Sequence, residues 1–340
     1  MTAAIPHIGF LPAGTRNLIS DVPGVTVGHS TLALGHVQTG VTVIRPHQGD
    51  PYRSKVPAAC AVLNGFGKSV GLVQVAELGT LETPIALTNA LSVNTIATAQ
   101  IRAAIAGNPR IGREEPTVNP LVFECNDGYL NDIQALAVQE AHYQQAFAGA
   151  SAEFQQGAIG AGRGMSCFEL KGGIGSASRR VRIDTHEYHI GTLVLANFGK
   201  LRDLILAGER IGPALSRKIS GATDAPEKGS IILVVATDAP LDARQLRRLA
   251  LRAGAGLART GSVFGHGSGD IALAFSTAQT IPHTAQDPLQ SFRLLHETLL
   301  DPLFHAVADS AEQAIVHALF AAETITGRDG HQRTALRDLL

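Results

Sequence analysis

Ser220-Gly-Ala-Thr-Asp-Ala-Pro-Glu-Lys-Gly229 runs directly into Ser230-Ile-Ile-Leu-Val-Val-Ala236. The first stretch is polar and rich in chain breakers, the composition of a connecting loop. The second is short, apolar and largely β-branched. It falls well below the roughly 20 residues needed to cross a bilayer and reads as a buried strand. The junction Gly229-Ser230 places a hydroxyl at the first position of that strand, behind a residue without a side chain. Taken alone, such a pair is a serine closing the start of a strand, and many proteins have one.

Outward from the junction, strands and helices alternate. Residues 24–29, 40–44, 84–89, 121–124, 191–197, 231–237 and 270–276 have strand composition. Leu91 to Ala106 is alanine-rich and predicts a helix. Asn131 to Ala148 predicts another, capped by Asn131 or Asp132, with Ile133, Leu136 and Ala137 on one face. After 231–237, Asp238 is the expected cap of a helix whose buried face carries Leu246, Leu249, Ala250 and Ala253. Pro288 to Ala322 reads as two helices broken at Asp301-Pro302. Apolar strands interleaved with helices indicate a layered α/β protein. The 36 glycines favour stacked sheets with short connections over a helical bundle.

The chain has 340 residues, 45% hydrophobic and 17% charged, ample for a large buried core. Its 28 basic and 29 acidic residues nearly balance, so nothing electrostatic favours nucleic acid or an anionic membrane as partner. Cys60, Cys125 and Cys167 form no C-x-x-C pair, and the 13 histidines form no H-E-x-x-H motif, so no metal is expected. An odd cysteine count and a first segment without a charged n-region predict a cytoplasmic protein. Gly67-Lys68-Ser69 imitates the end of a phosphate loop, but the earlier glycine that loop requires is Val62 here. Gly160-Ala-Gly-Arg-Gly164 lacks the spacing of a dinucleotide turn.

Several blocks share one resemblance. They are Ser20-Asp-Val-Pro-Gly-Val-Thr-Val-Gly-His29, Glu124-Cys-Asn-Asp-Gly-Tyr-Leu-Asn-Asp132, Gly160-Ala-Gly-Arg-Gly-Met165, Lys171-Gly-Gly-Ile-Gly175, Ser230-Ile-Ile-Leu-Val-Val-Ala-Thr-Asp-Ala-Pro-Leu241 and Gly267-Ser-Gly-Asp-Ile-Ala-Leu-Ala-Phe-Ser-Thr277. In this order they resemble the DmpA-like L-aminopeptidase/D-esterase family, which includes the β-peptidyl aminopeptidases. The resemblance implies a four-layer αββα sandwich, similar to N-terminal nucleophile hydrolases and shared with ornithine acetyltransferases. It implies one catalytic domain, 1–340, that cuts itself into 1–229 and 230–340. It also implies a homotetramer or other homo-oligomer and no cofactor.

The same resemblance assigns roles. Ser230 is the expected nucleophile, attacking first the Gly229 carbonyl and then a small peptide, amino-acid amide or ester. The freed Ser230 α-amine, with a reference pKa of about 7.7–8.0, suits a general base near neutral pH. Ser268 is expected to hydrogen-bond the Ser230 side chain or amine, and Asp270 to orient Ser268 and favour positive charge on that amine; some relatives carry glutamate at this place. Asn197 is the expected oxyanion donor. Glu124 is expected to bind the substrate ammonium. Asn126 and Tyr129 are candidate substrate contacts, and Asn126 stands where the best-known branch has tyrosine. The other expectations to be weighed are an acyltransferase, although those enzymes use threonine as the new terminus, and a non-catalytic binding protein.

Overall fold

The computed structural model describes residues 4–218, 229–285 and 287–340. Most of the connecting loop read at 220–229 lies outside the described residues. In chain order the strands are β1 (Thr26–Leu34), β2 (Val37–Arg45), β3 (Ser54–Gly65), β4 (Thr80–Leu81), β5 (Ile85–Asn89), β6 (Leu121–Cys125), β7 (Ser166–Cys167), β8 (Leu170–Lys171), β9 (Gly173–Ile183), β10 (His186–Asn197), β11 (Ser230–Thr237), β12 (Gly269–Ser276), β13 (Ile281–Pro282), β14 (Ile325–Thr326) and β15 (Gln332–Arg333). The helices are α1 (Leu72–Leu78), α2 (Val93–Gly107), α3 (Glu140–Ala148), α4 (Gly212–Ser216), α5 (Ala243–Arg259) and α6 (Asp301–Ala321).

The continuous apolar run of β11 follows from burial on both faces. Ile231, Leu233 and Val235 pack with α5 and α6. Ile232, Val234 and Ala236 point the other way, into a core shared with Ile85, Leu87 and Phe123. Two sheets therefore stack face to face. One has the order β1-β2-β5-β6; the larger has β13-β3-β12-β11-β10-β9, with β4 beside β3. Helices α2 and α3 cover the outer face of the small sheet through Val41, Val43, Ala86 and Val122. The layers are α, β, β, α. Fully burying each large aliphatic side chain is worth about 1.5–3 kcal/mol, so neither face of β11 tolerates a polar residue cheaply.

Strand direction follows from the connections. α5 bridges β11 and β12, which pair in parallel, and α2 bridges β5 and β6, also parallel. β10 runs antiparallel to β11 and β3 antiparallel to β12. Hence the ends of β3 and β10 meet the starts of β11 and β12 at one end of the sandwich. The end of β6 reaches the same place from the facing sheet, where the Cys125 thiol donates to the Ser230 carbonyl at 3.4 Å.

Three sequence expectations are corrected. The helix expected over 131–148 is confined to α3; Ile133–Ala135 is a single 3-10 turn, stopped by Leu136 in the left-handed region. Asn131 does not cap it: its side chain accepts from the Gln38 N–H and donates to Asp127. Asp238 does not cap α5 either, being bonded to His189. Asp242 does, accepting from the Gln245 N–H at 2.7 Å while the Gln245 side chain accepts from the Asp242 N–H. Finally, Pro302 starts α6 rather than breaking it, lying in the first turn where its missing N–H costs nothing.

Candidate active site

Ser230 opens β11 and is 5% exposed. Its hydroxyl donates to the Gly229 carbonyl at 2.8 Å and accepts the Gly269 N–H at 3.2 Å. Both glycines are sterically required. A Cβ on residue 229 would lie 2.4 Å from the Asn197 carbonyl oxygen and 2.6 Å from Phe198 Cα. A Cβ on residue 269 would lie 2.7 Å from the Phe66 carbonyl oxygen and 3.2 Å from Ser230 Oγ. At Gly229, close approach to the end of β10 excludes a side chain.

Gly269 lies between Ser268 and Asp270, both 1% exposed. The Ser268 hydroxyl donates to Asp270 Oδ1 at 2.5 Å. Ser230 Oγ bonds Gly229 and Gly269 in the continuous chain, where the amine that Ser268 is also expected to meet is still part of a peptide bond. The turn carrying Ser268 is held by Asn64 at the end of β3. Its side-chain N–H groups point at the carbonyls of Gly265, 3.0 Å away, and Ser268. At this point β12 shifts register against β3, with Asp270 opposite Asn64 and Ile271 opposite Val62. That irregularity re-aims side chains, as bulges beside functional sites do. Sequence reading missed Asn64, because its partners lie about two hundred residues away.

Asn197 ends β10 directly opposite Ser230. Its Oδ1 accepts the Ser166 N–H at 2.8 Å, and its Nδ2 donates to the Asn126 carbonyl at 3.0 Å. A donor on one end and an acceptor on the other fix which end is the amine. One of the two Nδ2 hydrogens is used there, leaving the second for another acceptor.

Glu124 lies near the end of β6 and is buried. Its Oε1 accepts the Lys68 N–H at 2.8 Å. Burial pushes its carboxyl up from the ordinary value, against the opposing pull of the Lys68 N–H and charge. The position of a Cβ on Gly67 would lie 3.4 Å from Glu124 Oε1 and 3.9 Å from Gly269 Cα. The 66–68 segment thus joins the carboxylate to the backbone that touches Ser230.

Asn126 and Tyr129 are placed differently. The exposed Asn126 side chain accepts from the Gly128 N–H, closing its own turn, so only its carbonyl reaches Asn197. The Tyr129 ring stacks on His331 with centroids 4.6 Å apart. Cys125 is wholly buried and burial pushes its thiol well up, a state unsuited to nucleophilic attack. Among the described residues no cluster of three His, Cys, Asp or Glu could hold a metal ion.

A hydroxyl against a carbonyl, an amide with a spare N–H one strand away and a buried carboxylate nearby are the parts of acyl transfer. The profile of peptidase family S58 matches residues 17–333. A β-peptidyl aminopeptidase, BapA, from Sphingosinicella microcystinivorans is 37% identical, over 94% of this chain and 85% of that protein. The crystal structure of the PH0078 protein from Pyrococcus horikoshii OT3 is 48% identical with a TM-score of 0.93, covering 98% of this chain and 95% of its own. The L-aminopeptidase D-Ala-esterase/amidase from Ochrobactrum anthropi, described as a variant of the Ntn hydrolase fold, is 33% identical. Its TM-score is 0.90, covering 97% of this chain and 93% of its own.

Proposed function

This chain belongs to peptidase family S58 and is a serine aminopeptidase, and on that premise we propose that Ser230 is both its nucleophile and the residue behind its own cleavage point. The observation that carries the reading is the Ser230 hydroxyl lying 2.8 Å from the Gly229 carbonyl oxygen. Ser230 Oγ attacks the Gly229 carbonyl carbon. The Gly229–Ser230 amide breaks, its nitrogen takes a proton, and the Gly229 acyl group sits on Oγ as an ester. Water hydrolyses that ester, leaving a carboxylate at Gly229 and a free amine and hydroxyl on Ser230.

The mature site then repeats the chemistry on substrate. Glu124 binds the substrate's ammonium group, which offsets the cost of its own burial. The Ser230 amine takes the Oγ proton as Oγ attacks the scissile carbonyl. The free N–H of Asn197 meets the developing oxyanion. The leaving amine takes the proton, and water then releases the acyl group as a free amino acid. Asp270, through the Ser268 hydroxyl, places negative charge beside the new ammonium and favours its protonated form between steps. Peptide substrates satisfy all these groups without a cofactor.

The two products would be 1–229 and 230–340. They cannot part easily, because β11 and β12 from the smaller fragment lie between β3 and β10 from the larger in one sheet. Intact-mass analysis of purified protein tests the reading. One species ending at Gly229 and one beginning at Ser230, eluting together under native conditions, are expected. A full-length chain with peptidase activity would contradict it.

A further inference from the structure

The hairpin β14–β15 carries a cation that this mechanism does not use. Arg333 Nε donates to the Ser166 hydroxyl at 3.1 Å, and the Ser166 N–H is the group that fixes Asn197 Oδ1. The Arg333 guanidinium carbon also lies 3.7 Å from the centroid of the Tyr129 ring. Tyr129 follows the turn begun by Asn126, whose carbonyl holds Asn197 Nδ2. Arg333 is therefore linked to both ends of the Asn197 amide. His331, from the same hairpin, stacks on Tyr129 and bonds its carbonyl at 2.9 Å.

Arg333 is half-buried, and no carboxylate among the described residues pairs with it. The acidic group that faces it, Glu169, accepts from the Leu201 N–H at 3.1 Å and lies 3.6 Å from Lys200. A guanidinium has five N–H donors in a rigid fork, and here one is used within the described residues. Burial already disfavours the charge. An arriving anion would relieve that cost, and a planar fork over an aromatic face matches a carboxylate in two-point contact.

We infer that Arg333, seated on Tyr129, binds the free C-terminal carboxylate of a short peptide substrate and holds the leaving amino acid beside Asn197. The inference rests on the aminopeptidase reading above. It makes the site selective for dipeptide acids over the corresponding amides, a preference that Glu124 and Ser230 alone do not supply.

The test compares a panel of X-Ala dipeptides with the matching X-Ala amides, on processed enzyme. For the wild type, kcat/KM for the acid is expected to exceed that for the amide by about tenfold or more, as a charge-assisted contact supplies. Arg333→Gln should bring the acid-to-amide ratio to about one, and Arg333→Lys should restore part of it. The ratio is internal to each variant, so a general loss through Ser166 and Asn197 does not mimic the effect. A ratio near one in the wild type, or an unchanged ratio in Arg333→Gln, overturns the carboxylate site alone. A wild-type protein that cleaves neither member of any pair overturns the aminopeptidase reading and this inference with it.

Discussion

Asn197 is the residue on which the site's geometry converges. Ser166 holds its oxygen, Asn126 holds its nitrogen, and Ser230 lies across the strand pair. Replacing it with alanine in already processed protein should lower kcat by about a hundredfold or more, near 2.7 kcal/mol, the usual size of one oxyanion donor. An unchanged kcat would remove Asn197 from the mechanism. Glu124 carries the second prediction at this scale. A carboxylate whose burial is already costly gains most from a charged partner. Acetylating the amine of an aminoacyl p-nitroanilide should therefore abolish its cleavage; equal rates with blocked and free substrates would refute the role. Ser230, Ser268, Asp270 and Glu124 could be named as candidates because each sits in a local block of sequence, and Asn197 because it ends an apolar strand. The groups that position them could not. Asn64 and Ser166 act through contacts with residues far along the chain, and Asn126 contributes a carbonyl, which no side-chain pattern reveals.

Among the elements, β11 was readable because burial on both faces leaves a purely apolar run. The segment 131–148 was misread because its first part spends its polar groups on tertiary contacts. Asn131 bonds Gln38 and Asp127, and Leu136 takes a left-handed turn that no helix admits. The beginning of α5 was placed one turn early, since Asp238 and Asp242 are both plausible caps by composition. Asp242→Ala should cost about 1 kcal/mol of stability, read by denaturant unfolding, from the loss of a reciprocal cap. Asp238→Ala should leave α5 capped. Asp127, in the turn after β6, gives a pH dependence. Burial raises its pKa from 3.8 to about 7. The folded value lies above the ordinary one, so the fold favours the protonated carboxyl. Its stabilising contribution is whole below about pH 4 and is lost as pH rises through about 7. Between pH 5.5 and 8.5, Tm should fall more in the wild type than in Asp127→Asn. Parallel Tm profiles would contradict the assignment.

At the scale of the molecule, the sequence indicated layers, and the family resemblance supplied their number. What neither conveyed is how the proposed cleavage point is built into the large sheet. Gly229 abuts the end of β10, Ser230 starts the central β11, and Gly269 at the start of β12 donates to Ser230. Strands from both prospective fragments thus form one frame around one hydroxyl. On the proposed mechanism this hydroxyl serves two reactions, first on the chain and then on substrate. Ser230→Ala tests it most directly, with intact mass and peptide hydrolysis measured on the same folded preparation. A single full-length species without hydrolytic activity is expected, both reactions disappearing together. A Ser230→Ala protein that is still cut after Gly229, or that still releases amino acids from peptides, would contradict the mechanism.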